Sequence, residues 1–202
     1  QWGLLIAQGD WLSRWEPVFY HSPAYAYLLG LLYSLAGPSP VLVGIVQAVL
    51  SAATAGLTLL LGRRIFGPVS GLVAGLLAAG YGMFVLMAGA LLPETLIVFL
   101  SVGGLVALVG AMQRPHPLRW LWAGLVLGLA VTARGPLILF LPLAGVAVAT
   151  WFAGRGGAKR WVPACLLIAL GAGLAIAPVT LHNRLLGGRW VTLTASVGPD
   201  LY

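Results

Sequence analysis

Charge is what this sequence has least of. Only 7% of its 202 residues are charged, four of them acidic, against roughly 25% charged in an ordinary soluble domain. With 60% hydrophobic residues and a mean hydropathy of +1.01, a water-soluble fold is excluded. Cysteine is as scarce: the single Cys165 lies inside an apolar block, so there is neither a disulfide framework nor a thiolate metal site, and the residue reads as a small buried hydrophobe. No His/Cys/Glu grouping has metal-ligand spacing and no Ser-His-Asp set stands out, which leaves metal hydrolase and protease chemistry without support. The stretch from Gly154 to Arg160 has the composition of a phosphate loop but lacks the GxxxxGK[ST] spacing and a preceding strand, and reads as a turn. Neither an initiating methionine nor a signal-peptide pattern precedes Gln1, and Tyr202 falls inside a polar stretch, so both ends read as cuts in a longer chain.

What the sequence does have is apolar blocks near twenty residues long, the length a helix needs to cross roughly 30 Å of hydrocarbon. Six spans are expected, at about 40 to 61, 68 to 89, 92 to 112, 119 to 134, 136 to 153 and 161 to 180. The 28 glycines suit such helices, and Gly71/Gly75 and Gly124/Gly128 have the spacing that lets two membrane helices approach closely. In a soluble protein a net charge of +7 would suggest nucleic acid; here the basic residues follow membrane orientation instead, and no nucleic-acid partner is expected. Seven of the eleven lie in the turns Gly62 to Gly67, Arg114 to Arg119 and Arg155 to Arg160, with no acidic residue among them, and the positive-inside rule makes these turns cytoplasmic. Alternation then puts the Leu92-Pro93-Glu94 turn, the Arg134-Gly135-Pro136 turn and both ends of the chain on the outer side. All four acidic residues, Asp10, Glu16, Glu94 and Asp200, fall there, with Arg14, His21, Arg134, His182, Asn183, Arg184 and Arg189. A multi-pass protein of the cell membrane with an extracytoplasmic active site follows.

Fifteen apolar residues from Ser22 to Ala36 are short for a span, and a crossing there would break the alternation. They are expected to lie along the outer surface, where Tyr25, Tyr27 and Tyr33, with Trp2, Trp11 and Trp15, suit the headgroup level. The chain thus divides into an interfacial loop with a juxtamembrane helix over 1–39, transmembrane helices over 40–180, and the start of an outer loop over 181–202.

Several short motifs recur in a fixed order: Ala7-Gln8-Gly9-Asp10-Trp11, Phe19 through Tyr25, Arg63-Arg64-Ile65-Phe66-Gly67, Leu92-Pro93-Glu94, Gly128 to Pro136, and Ala177-Pro178 through Asn183. Their order and spacing resemble the C-type (GT-C) membrane glycosyltransferases that use polyprenyl-phosphate sugars, the superfamily of the protein O-mannosyltransferases and the lipid A aminoarabinose transferases. In that resemblance they stand for the family's "A-x-G-D-W", its "Y-x-K-P-P-L-Y", the first cytoplasmic turn, the second outer acidic site, the "G-x-x-x-L-T-K/R-G-P" turn and the closing "A-P-W-x-x-R-N". There are three departures. The family's principal catalytic acid would sit several residues before Gln1, His21 replaces a lysine, and Val197-Gly198-Pro199 replaces a Gly-rich turn. The resemblance implies an all-α, GT-C-like transmembrane bundle that moves a sugar from a polyprenyl-phosphate donor to a protein, glycolipid or glycan, with no cofactor assigned and a divalent metal compatible with the chemistry.

Such a transfer needs a base for the acceptor's proton and cations for the departing phosphate. Glu94 is the candidate catalytic residue, orienting the acceptor or sharing base duty, although a carboxylate in a first helical turn is also what the helix dipole favours. Arg134 interrupts about thirty uncharged residues, and an ionisable group at membrane depth calls for a partner. It either grips the donor phosphate with its planar fork or snorkels to headgroups. His21 with Tyr20, and Asn183 with Arg184, are further candidates for phosphate or substrate contact, each balanced by an ordinary interfacial role; Asp10 is expected to orient its loop. The rival function is a membrane transporter, whose polar sites would gather near the midplane on broken helices.

Overall fold

The computed structural model describes residues 2–14, 18–19, 22–90, 92–155, 160–188 and 190–194. Among them every regular element is helical: α1 (Trp2–Ala7), α2 (Pro23–Ala36), α3 (Pro40–Phe66), α4 (Pro68–Gly80), α5 (Gly82–Gly89), α6 (Glu94–Gln113), α7 (Pro117–Ala133), a 3-10 turn (Gly135–Leu139) running into α8 (Phe140–Ala153), and α9 (Trp161–Leu185). Four stretches are long and apolar enough to cross a membrane: α3, α6, Gly135–Ala153 and α9. With the shorter apolar helices they form the polytopic helical bundle expected.

Local chemistry sets the boundaries. Proline opens α2, α3, α4 and α7, where its missing N–H costs nothing. Ser39 caps α3 by accepting from the Leu42 amide at 3.3 Å, and His116 caps α7 through Nδ1 at 3.3 Å from the Leu118 amide. The remaining two expected spans differ from the simple pattern. The fourth is α7, at 17 residues about 25 Å of helix. The second is broken at Tyr81, whose extended backbone (φ −75°, ψ 101°) sits between Gly80 and Gly82, two poor helix formers that let the chain leave the helix there. Two helices also outrun their expected ends. α3 continues through Arg63 and Arg64, and α9 runs to Leu185, because basic residues in a last turn complement the helix dipole.

Glycine draws the helices together where the GxxxG spacings indicated. A Cβ on Gly124 would overlap the Ile168 carbonyl, one on Gly128 would stand 2.8 Å from the Ala172 Cα, and one on Gly171 would strike the Leu121 carbonyl, so α7 and α9 meet backbone to backbone. Gly71 and Gly75 do the same for α4 against Leu59 and Arg63 of α3. At the N-terminus, Gly3 and Gly30 seat α1 on α2 against Leu29 and Ile6. The core proper lies between α6, α7, α8 and α9, around Leu108, Trp120, Leu127, Val148 and Ile168.

Antiparallel succession gathers the helix ends at two poles. The Gln113 carboxamide donates to the Arg64 carbonyl (3.1 Å), joining the basic ends of α6 and α3. The Gln47 carboxamide donates to the Leu92 carbonyl (2.8 Å), joining the same two helices at the opposite pole, where α2, the Arg134 turn and the end of α9 also lie.

Candidate functional site

Gln47 is the polar residue that organises this opposite pole. It sits two turns into the apolar α3 with 1% of its surface exposed, and its Nε2 donates to the Tyr25 hydroxyl (2.9 Å) on α2 as well as to Leu92. One side chain therefore ties α2 to α3 and pins the turn that delivers Glu94. Its Oε1 is buried without a hydrogen-bond partner. Burial pushes the Tyr25 phenol up to about 12, opposed by the Gln47 hydrogen bond and reinforced by Tyr33 and Glu94, so the hydroxyl keeps its proton.

Glu94 opens α6 and is half-buried. Its Oε2 and the neighbouring Thr95 Oγ1 are buried and unpartnered. Both residues face a cavity of about 240 Å3 shared with Ser51 and Thr54 of α3 and with Met83, Phe84 and Met87 of α5. Ser51 and Thr54 follow Gln47 at helical spacing, so α3 presents a polar stripe to the start of α6.

The other flank of α6 faces a second cavity, about 700 Å3, between α2, α6, α7 and α9. Its walls are apolar, among them Leu28, Leu96, Leu100 and Leu129; its polar lining comes from Thr132, Tyr27 and His182. The His182 ring stacks on Phe19 (centroids 4.1 Å apart, 16° between planes), and Nε2 lies 2.7 Å from the Leu12 carbonyl. A carbonyl only accepts, so Nε2 carries the proton; Nδ1 is buried and unpartnered.

Arg134 stands two residues beyond Thr132, as the C-cap of α7. It is exposed and makes no side-chain hydrogen bond or ion pair among the described residues. The helix ends at it and a 3-10 turn follows, so the exposed guanidinium keeps its donors free. Asn183 is wholly buried and fully used: Oδ1 accepts from the Phe19 amide (3.0 Å), and Nδ2 donates to the Val191 (2.9 Å) and Leu193 (3.0 Å) carbonyls. It clamps the segments before α2 and after α9 together. Arg184 is exposed, donating to the Gly188 carbonyl (2.9 Å) below the Trp190 ring. The Asp10 carboxylate accepts from the Arg14 amide at 3.1 and 3.0 Å within its own turn. Tyr20 and His21, like Glu16 and Asp200, lie outside the described residues.

The described candidates thus lie at one pole in two groups. The His182 cavity lies on one flank of α6 and the Glu94 cavity on the other, and Arg134 caps α7 two residues beyond Thr132, which lines the former. Gln47 was missed, as was the part played by Tyr25 and His182. The signal was there for Gln47: a lone carboxamide in an apolar span, followed at helical spacing by Ser51 and Thr54.

Among the described residues, the buried side-chain atoms without a partner are Gln47 Oε1, Glu94 Oε2, Thr95 Oγ1 and His182 Nδ1, and all four sit at this pole. The class so defined is a polytopic helical membrane protein with unsatisfied buried polar atoms gathered at one end of the bundle. A profile of the dolichyl-phosphate-mannose-protein mannosyltransferase family matches residues 20–182 of the 202, and the chain belongs to that family. It is accordingly a membrane glycosyltransferase of the GT-C type. No curated protein and no solved structure matches the chain.

Proposed function

We propose that the chain transfers a sugar from a polyprenyl-phosphate donor to a hydroxyl-bearing acceptor at the extracytoplasmic face of the plasma membrane. The single observation that carries this is that the four unpartnered buried polar atoms among the described residues all gather at the pole opposite the basic turns, since a folded protein retains such atoms where a ligand completes them. The donor's prenyl tail lies in the apolar cavity beside α2 and α9, and its phosphate rises to Arg134 and the rim at His182, with Tyr20, His21 and Arg184 placed by the sequence to reach the same headgroup. The anomeric carbon–phosphate oxygen bond breaks with its electron pair leaving on the polyprenyl phosphate, the acceptor oxygen bonds to the anomeric carbon, and the acceptor proton passes to a carboxylate, for which Glu94 is the candidate. Asn183 and Asp10 hold the two loops that frame the cavity. The described parts of the interfacial segment 1–39 and of the outer segment from 181 act as one layer, joined by Asn183 to Phe19 and by His182 to Leu12.

A transporter would place polar groups at its helix break, whereas the Tyr81 break is flanked by Ala79, Gly80, Gly82 and Met83. The test uses the full-length chain in proteoliposomes with a photoreactive polyprenyl-phosphate sugar. Crosslinks should fall on α7 and α9 near Thr132 and Pro178 and fade with Arg134→Gln. Crosslinks at the basic pole, or labelling of Glu94→Cys and Arg134→Cys from opposite sides of the bilayer in a Cys165→Ala background, would overturn the reading.

A further inference from the structure

The basic pole has a furrow of its own. A cavity of about 900 Å3 opens there between α3, α6 and α7, with Arg64, Arg114 and Arg119 at its mouth and Phe99, Trp122 and Val126 along its walls. We infer that this furrow binds one anionic phospholipid of the leaflet adjoining the basic turns, its phosphate held by the three guanidinia and an acyl chain laid against α6 and α7.

Three observations converge on that occupant. The first is charge: Glu94 is the sole acidic residue between Glu16 and Asp200, so no carboxylate in these helices neutralises the cluster. The second is unspent bonding capacity. Arg64 Nη1 donates to the Val106 carbonyl (3.0 Å) and Arg119 Nη1 to the Arg114 carbonyl (2.9 Å), while the Arg114 side chain has no partner among the described residues. A guanidinium has five N–H groups, so most donors remain for a phosphate. Gly110 fixes the arrangement, because a Cβ there would stand 2.9 Å from Arg64 Nη1; the bare backbone lets the guanidinium lie on α6 at the mouth instead of extending into water. The third is length. From Arg119 to Leu129, the last lining residue on α7, the furrow covers about 15 Å of helix, half the hydrocarbon thickness and hence one leaflet's acyl chain. A lipid headgroup brings its own counter-charge to the three cations, as anionic headgroups do in basic pockets between membrane helices. At Leu100 and Leu129 the furrow meets the cavity of the opposite pole, so the two lipid-shaped spaces adjoin tail to tail.

The full-length chain, stripped of lipid in detergent and titrated with phosphatidylglycerol or phosphatidylcholine of identical chains, should retain one phosphatidylglycerol in native mass spectrometry and no phosphatidylcholine. Two charges at the headgroup level are worth about 30-fold, so Arg114→Gln combined with Arg119→Gln should weaken retention by about that factor. Val126→Trp should abolish it by filling the furrow with all three arginines in place, and Gly103→Leu, which fills it from α6, serves if that variant fails to fold. Arg155→Gln, at the same pole but outside the furrow, should leave retention unchanged. Equal retention of the two lipids, displacement by inorganic phosphate or by a polyprenyl phosphate, or crosslinks from Trp122 to another segment of the chain would each overturn the inference.

Discussion

The two poles of this bundle meet the same kind of boundary and treat their polar groups in opposite ways. At the basic pole side chains are spent on backbone: Arg64 on Val106, Arg119 on Arg114, Gln113 on Arg64, and Arg155 on Trp151 with its guanidinium 3.3 Å over that indole ring. Most of these bonds satisfy carbonyls near helix C-termini, where a cation also complements the dipole. At the opposite pole the carboxamide of Gln47, the carboxylate of Glu94, the Thr95 hydroxyl and the His182 ring are each left with a buried atom unbonded. Leaving such an atom costs about 1–3 kcal/mol, a sacrifice of stability that a structural role would not explain. At one pole the unspent donors belong to exposed guanidinia; at the other, among the described residues, the unbonded atoms are buried.

That contrast is broken most decisively at Glu94. In the full-length enzyme Glu94→Gln should lower kcat by about 10²–10⁴ while the thermal midpoint stays at or above the wild-type value, since an unpartnered carboxylate becomes a neutral amide. Normal turnover would reduce the pole to a structural one. Next in size is Arg134→Ala, which should raise the donor KM by about 30-fold or more with little change in stability, because the guanidinium has no described partner to lose. Arg134→Lys should recover only part, lacking the planar fork.

The sequence was most informative where a residue's physics is local. Hydrophobic length located the spans, basic turns paired the helix ends, and Gly124/Gly128 and Gly71/Gly75 marked the two closest helix contacts, because bare backbone at that spacing does little else in a membrane helix. It was least informative where function depends on which side of a helix a residue faces. Glu94 and His182 were foreseen at one boundary, yet they line separate cavities on two flanks of α6. Asn183 had the right address, but its carboxamide is consumed by Phe19, Val191 and Leu193, contacts made across 164 residues of chain in the first case. The break at Tyr81 escaped because Gly-Tyr-Gly within a long apolar run also fits a continuous helix.

Smaller changes sharpen the contrast. Gln47→Leu removes two hydrogen bonds that span three segments and also removes one unbonded atom. Membrane hydrogen bonds average about 0.6 kcal/mol each, and losing two is offset by relief of the about 1–3 kcal/mol that the unbonded Oε1 costs, so the thermal midpoint should change little, while the freed Leu92–Glu94 turn should cost kcat more than KM. At the basic pole Arg155→Gln forfeits a cation–π contact of about 0.5–1 kcal/mol, with no change in either kinetic constant. An equal kinetic effect from both substitutions would erase the distinction between the poles.

The smallest effect tests whether the Gln47 cluster is withdrawn from water at all. An unfolded chain releases the Tyr25 proton near pH 10, whereas the folded chain holds it to about 12. Between those values the unfolded state binds fewer protons, so the stability this phenol contributes is intact below pH 10 and drains as the pH rises to 12. Tyr25 is only half-buried, and solvent screening keeps the slope shallow. Tyr25→Phe abolishes the slope at the cost of a constant offset, because Gln47 loses its acceptor at every pH. The wild-type thermal midpoint should therefore fall faster than the variant's across this alkaline window, and parallel curves would mean that the phenol titrates in water and that the chamber beside Glu94 stands open to it.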